Sequence, residues 1–262
     1  MIPQDVGTEV GRWQISLAEL KPGNTPQDSL ATRYWLQVKS LLPNDLLEEY
    51  VTSLRLYTDG PQEDLGGLNQ LDESNKYWQL DLDTADINFH NLDSGFVLDY
   101  THTLIHEFGH LLTLNATQVE PTEDMRQDDA KGYLTSEGYA RKSSYLGKYV
   151  DRFWPMDFLM RWDKIDQIKN ESRRADKLYT FYLENSERFV TDYAAENPEE
   201  DIAESWAFFV LSDKPVTNEL KARKVLFFYQ FEELVKMRNS IRSKITSLPT
   251  DYLNAYQIAN ND

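Results

Sequence analysis

Three of the chain's four histidines fall in one apolar segment, GFVLDYTHTLIHEFGHLLTL, residues 95–114. Val97, Leu98, Leu104, Ile105, Phe108, Leu111 and Leu112 recur there at helical spacing, and Ser94 or Asp93 is placed to cap the start. A helix this apolar has to be sunk in a core, so the remainder of the chain must wrap it while leaving room for its imidazoles. Residues i and i+4 share a helix face about 6 Å apart along the axis, so His106 and His110 can reach one metal ion, and tetrahedral zinc is the ion that suits them. Glu107 follows the first histidine, where a carboxylate can hydrogen-bond a metal-bound water without ligating. Zinc lowers the pKa of that water to about 7, and Glu107 can then take its proton as general base during attack on a carbonyl.

A catalytic zinc needs a third protein ligand and an open position. His102 lies another turn earlier, but it is eight residues from His110, about 12 Å along the axis, and both cannot join His106 on one ion. It is expected to support the site rather than ligate. No histidine follows His110 and the chain has no cysteine. The third ligand must therefore be a carboxylate, or His90 from upstream. The strongest carboxylates stand in YAAENPEEDIAESWAF, residues 193–208, where Asn197 and Pro198 open a helix. Glu200, Ala203, Glu204 and Ala207 share one face of it, and the two alanines let another backbone approach closely. Glu200 is placed to meet a metal held by the neighbouring helix, and Glu204, one turn on, to hydrogen-bond a ligating imidazole and fix its tautomer. Glu199 and Asp201 suit the helix N-terminus, where the dipole favours acidic side chains.

Acidic residues outnumber basic ones 44 to 27, for a net charge of −17, which repels phosphate backbones and argues against nucleic acid as a partner. With no cysteine, disulfides, thiolate metal sites and a cysteine nucleophile are excluded. No segment is apolar enough for a membrane span, and the N-terminus lacks a signal segment, which leaves the cytosol or a trimmed exported protein open. There is no Gly-rich phosphate loop. The expected partner is a peptide or protein substrate, and the oligomeric state is unknown.

Residues 30–42 carry helical spacing, with Leu30, Trp35, Val38 and Leu42 on one side, and Pro43-Asn44-Asp45 starts a second short helix through Tyr50. Residues 51–57 (VTSLRLY) and 77–82 (YWQLDL) partly alternate and read as half-buried strands of a small antiparallel sheet, with turn chemistry at 58–61 and at Gly66-Gly67. After residue 95 the pattern is nearly all helical. A polar loop is expected over 115–143, with the acidic run 120–129 as a solvated loop or lid. Helices are expected over 145–154, from 156 to about 184, over 198–211, and from about 218 to 247. Residues 1–25 read as a loose end or a cover over the site. Trp35, Trp78, Trp154, Trp162 and Trp206 read as core.

HEFGH, followed about eighty residues later by Tyr193, Glu200 and Glu204, resembles the gluzincin pattern of the anthrax lethal factor protease domain and its relatives. It is also similar to a group of uncharacterised bacterial zinc metallopeptidase-like proteins, several of them exported. The segments TLIHEFGHLLTLN and YAAENPEEDIAE carry the likeness, which covers the motifs and their flanks and does not extend to substrate-docking or cell-entry regions. The resemblance implies His106, His110 and Glu200 as ligands of Zn2+, Glu107 as general base, Tyr193 as the phenol that donates to the oxyanion, and Glu204 behind a ligating histidine. It implies an α+β, zincin-like fold forming a single unit, with a mixed α/β part over 1–95 and a helical part over 96–262 that carries the metal site. The expected activity is zinc-dependent peptide hydrolysis at an extracellular or cell-surface location in a bacterium, with the cytoplasm as the alternative. The rival expectation is a non-catalytic zincin-like binding or surface protein. The strand at 77–82 is a candidate edge for pairing with an extended peptide, or an interior strand.

Overall fold

Leu54 and Leu56 of strand β3 (Val51–Tyr57) stand beside Leu80 and Leu82 of β5 (Trp78–Asp83), and alternation turns Ser53, Arg55, Gln79 and Asp81 to the opposite face. All four leucines are buried, and the polar partners satisfy one another: Arg55 Nη1 lies 2.5 Å from Asp81 Oδ2, Gln79 Nε2 donates to Asp81 Oδ1 at 2.8 Å, and Ser53 Oγ donates to Gln79 Oε1 at 3.1 Å. This closure of polar groups satisfies Asp81 in a strand that is buried along its whole length. The computed structural model in which these contacts occur describes residues 5–21, 23–62, 64–86, 94–124, 126, 131–245, 248–249, 251–252 and 256.

Three further strands complete the sheet: β1 (Glu9–Ser16), β2 (Glu19–Leu20) and β4 (Gly66–Gln70), in the order β2-β1-β3-β5-β4. The sheet is mixed, and the expected antiparallel sheet is corrected on this point: β3 and β5 run parallel because β4 leaves β3, takes the outer edge and returns as an antiparallel hairpin with β5. The strand expected over 77–82 is therefore interior, and β4 holds the edge. Residues 1–25 are likewise not a loose end where they are described, since β1 pairs along β3 and β2 closes on β1.

Helix α1 (Pro26–Leu41) begins with a capping box: Thr25 accepts from the Asp28 amide and Asp28 accepts from the Thr25 amide. Asp28 also accepts from Trp13 Nε1 at 2.7 Å, which ties the helix start to β1. Leu30, Trp35 and Val38 of α1, with Leu42 just after it, are buried as their spacing predicts. Helix α2 (Asn44–Tyr50) leads directly into β3. The long apolar helix is α3 (Ser94–Leu114); its proposed cap Asp93 lies outside the described residues, and Ser94 is its first residue.

The 115–143 segment is not simply a loop. It holds β6 (Val119–Glu120), β7 (Leu134–Thr135) and β8 (Gly138–Ala140), paired in the order β6-β8-β7. Of the acidic run, Glu120 lies in β6, while residues 125 and 127–130 are outside the described set. Helices α4 (Tyr145–Phe153), α5 (Met156–Asp166), α6 (Glu171–Glu184), α7 (Pro198–Leu211), α8 (Leu220–Phe227) and α9 (Glu232–Arg242) follow. Two expected long helices are each divided. The first breaks at 167–170, where Asn170 caps α6 through its side chain; the second breaks at a 3₁₀ turn, Phe228–Gln230, that packs Phe228 inward. Helix α7 is buried nearly all round, its acidic side chains Asp201 and Glu204 included, and packs against α3, α4, α8 and α9. The chain is α+β, with a small mixed sheet, mostly helical after residue 95, and one continuous hydrophobic core running from Trp13 to Tyr252; all five tryptophans read as core are buried in it.

Candidate metal centre

The site depends on how closely two helices approach. A Cβ at Gly109 of α3 would stand 3.0 Å from Trp206 Cδ1 and 3.2 Å from Ala203 Cα of α7, so only glycine opposite a small residue allows this crossing. At α7's start, Asn197 accepts from the Glu200 amide at 2.8 Å and Pro198 occupies the first helical position. Asp201, one residue on, is buried against Lys224 of α8 at 2.5 Å and accepts from Trp154 Nε1 at 2.8 Å. These contacts anchor the turn that carries Glu200.

The expected ligand set comes together. His106 Nε2 lies 3.0 Å from His110 Nε2 and 3.0 Å from Glu200 Oε2, and His110 Nε2 lies 3.1 Å from the same oxygen. In a tetrahedral zinc site with bonds of 2.0–2.1 Å, donor atoms stand about 3.3 Å apart. Behind this triangle, Glu204 Oε1 lies 2.8 Å from His106 Nδ1. An ionised carboxylate only accepts, so the His106 proton is on Nδ1 and its Nε2 lone pair faces the triangle. The two Nε2 atoms and the Glu200 oxygen thus converge on one point, and a cation there satisfies all three. The donor set fits zinc.

Charge in the site says the same. Burial alone would lower the pKa of His106, but hydrogen bonds with Glu200 and Glu204 outweigh it and raise it well above the ordinary value. Burial would raise Glu200, yet the charges and hydrogen bonds of His110 and His106 hold its carboxyl well below the usual range. Both results express a demand for positive charge between these groups.

Glu204 does more than hold one imidazole. Its Oε1 also accepts from His102 Nε2 at 2.8 Å, and its Oε2 accepts from Thr191 Oγ1 at 2.6 Å. The far nitrogen of His102 pairs with the Tyr252 hydroxyl at 3.0 Å, and the Tyr256 ring stacks on His102 with centroids 4.0 Å apart. His102, His106 and Glu204 are close enough to hold an ion, but each contact between them is taken up in this hydrogen-bonded chain. His102 therefore stands behind His106 in this chain and outside the triangle, as its distance from His110 along the helix requires. Thr191 and the two C-terminal tyrosines have no recognisable signal in the sequence: no periodicity or motif marks a threonine seven residues past a helix or tyrosines in a polar tail. His90 lies outside the described residues.

Glu107 is buried to 8% exposure and takes no hydrogen bond from the described residues. Burial raises its carboxyl pKa, with His106 and His110 opposing the shift. Tyr193 sits on a 3₁₀ turn, Tyr193–Ala195, half exposed, with its ring centroid 5.7 Å from that of His106. Asp201 and Glu199 are corrections. Asp201 is wholly buried in its ion pair with Lys224, and Glu199 accepts from the Tyr133 hydroxyl at 2.9 Å, so neither is simply an acidic side chain at a helix start. A cavity of about 950 Å³ shares α7 with the site through Asn197 and Glu199 but is lined by none of His106, His110 and Glu200.

Comparison with family models, curated proteins and solved structures gives no match for this chain. The reading of the site stands on its geometry.

Proposed function

We propose that the chain is a zinc-dependent peptidase of gluzincin type on a zincin-like fold, related to the lethal factor protease domain and the bacterial metallopeptidase-like proteins that its motifs resemble. The observation that carries this reading is the convergence of His106 Nε2, His110 Nε2 and Glu200 Oε2 within 3.1 Å of one another beside the buried Glu107. His106, His110 and Glu200 would hold the ion. When bound, zinc supplies Lewis-acid polarisation and brings the pKa of water toward neutrality. Glu107, its proton affinity raised by burial, receives the proton of the attacking water and passes it to the leaving amine. Tyr193 keeps its phenolic proton, since burial and the charges of Glu200 and Glu107 raise its pKa, and donates it as a hydrogen bond to the oxyanion. Glu204 keeps the His106 proton on Nδ1.

An extended peptide is the natural substrate for the edge of the sheet. Among the described residues β4 pairs only with β5, and α3 packs against it, with a Cβ at Gly66 reaching within 3.3 Å of Thr103 Cγ2. A peptide added along β4 by backbone hydrogen bonds lies next to the helix that bears His106. The test is a peptide-library digest with the wild type and Glu107→Gln, each assayed for zinc. The reading requires cleavage by the wild type and a loss on the order of 10²–10⁴-fold in the variant with zinc retained. Zinc retained by a wild type that cleaves nothing in the library favours a non-catalytic binding protein instead.

A further inference from the structure

At the C-terminal ends of β3 and β5 three carboxylates meet that the peptidase reading does not use. Asp5 precedes β1, Asp59 follows β3 and Asp83 ends β5, and one oxygen of each lies within 4.8 Å of the others. Local pairing brings the segments together: the Val6 and Thr8 amides donate to Thr58 Oγ1, the Thr58 amide to Thr8 O, and the Thr84 amide to Tyr57 O. The backbone satisfies only part of each carboxylate. Asp83 Oδ1 accepts from the Ala85 and Asp86 amides at 2.6 and 2.7 Å, Asp59 Oδ2 from the Asp64 amide at 2.8 Å, and Asp5 Oδ1 from the Gly60 amide at 2.6 Å. Asp83 is fully buried, yet among the described residues its Oδ2 has no partner, and Asp59 Oδ1 is a second buried oxygen without one there. Among the described residues no lysine, arginine or histidine forms an ion pair with any of the three. Burial raises the pKa of Asp83, and the charges of Asp59 and Asp5 raise it further.

We propose that Asp5, Asp59 and Asp83 form a calcium site that clasps the N-terminal segment to the ends of β3 and β5. Two orphaned acceptor oxygens in a cluster of like charge are what a cation resolves. The donors are all hard oxygens, with no imidazole or thiolate, which favours calcium or magnesium over zinc. Three carboxylates from separate segments, one of them on an exposed turn, make the adaptable cage that calcium accepts and magnesium's strict octahedron does not. A cavity of about 430 Å³ lined by Gly7, Thr58, Asp59 and Asp64 opens beside Asp59. This site is independent of the histidine–glutamate triangle.

The experiment is calorimetric titration of Ca2+ into the full chain, chelator-washed and then reloaded with zinc, for wild type, Asp83→Asn and Asp5→Asn, with zinc assayed in every sample. Asp5→Asn is exposed and keeps an oxygen for the Gly60 amide, so it guards against misfolding of the buried variant. The wild type should take up one Ca2+ per chain with a Kd on the order of 10⁻⁵–10⁻³ M. Asp5→Asn should weaken uptake at least about tenfold and Asp83→Asn should abolish it, with zinc content unchanged in both. No uptake by the wild type at about 10 mM Ca2+, or uptake by Asp5→Asn equal to wild type, overturns the proposal. So does an equal response to Mg2+, which marks general screening of a surface of charge −17.

Discussion

Lys224→Met removes the one cation that, among the described residues, pairs with Asp201, and its cost can be worked from the structure. Both side chains are inaccessible, at 1% and 0% exposure, and the ammonium lies 2.5 Å from Asp201 Oδ2. Without it the carboxylate keeps only the Trp154 indole N–H and the Tyr149 hydroxyl nearby, while its Oδ1 already lacks a partner. Leaving a charge buried alone typically costs about 3–5 kcal/mol. Protonation sets a ceiling: neutralising a carboxyl with an ordinary pKa of about 3.9 at pH 7 costs about 1.4 kcal/mol per unit, or about 4 kcal/mol. With a urea slope of about 2–3 kcal/mol/M, the midpoint should fall by about 1.3–2 M. The deficit must also depend on pH. In the variant Asp201 stays protonated when folded and ionises when unfolded, so the folded state binds the extra proton and stability falls as pH rises. The penalty therefore shrinks by about 1.4 kcal/mol per unit as pH is lowered from 7 toward 4. The double variant Asp201→Asn/Lys224→Met should recover most of the loss, because no charge is left in the core. A Lys224→Met midpoint within about 0.3 M of wild type, or a deficit that does not change between pH 7 and 5, would refute the reasoning.

Gly109→Ala should cost about 1–3 kcal/mol despite alanine's better helix propensity, since its methyl meets Trp206 and Ala203 at 3.0–3.2 Å, and zinc affinity should fall as α7 is displaced; unchanged thermal stability and metal content would contradict this. Glu204→Gln should weaken zinc about 10–100-fold while the fold persists, because an amide nitrogen can oppose the His106 and His102 protons; competition with a chelator measures it, and equal affinity would remove Glu204 from the site. The Asp28 carboxyl is held down to about 2, chiefly by the Trp13 indole hydrogen bond and then by Thr25, so it adds stability above its ordinary pKa of 3.8 that is lost as pH falls toward 2. Asp28→Asn should flatten that part of the acid limb in a thermal-stability series, and an unaltered limb would count against it.

The parts of the fold that the sequence made legible are those where one periodicity dominates. Residues 95–114 and 198–211 carry apolar stripes and cap signals strong enough to place α3 and α7, and the i, i+4 spacing of His106 and His110 then fixes where a third ligand must stand. Glu200 could be singled out as a candidate because it stands one turn into that helix on the same face as Ala203, where another backbone can approach closely, and its oxygen does meet both Nε2 atoms. What escaped was held together over long range. Strand β4 contains one large apolar residue, Leu68, and its Gly66-Gly67 reads as a turn, so the edge of the sheet and the parallel pairing of β3 with β5 were hidden. Asp201 looked like a helix-dipole residue because Lys224, its partner, is twenty-three positions away in another helix. Thr191, Tyr252 and Tyr256 matter only through contacts to Glu204 and His102 that the tertiary fold creates.

The central claim is that His106, His110 and Glu200 form one metal site. Metal analysis of the purified wild type beside Glu200→Ala, at matched concentration after dialysis against a weak chelator, tests it most directly. The account predicts about one zinc per wild-type chain and much weaker retention by the variant. Zinc held equally by both would take the third ligand away from Glu200 and contradict the account.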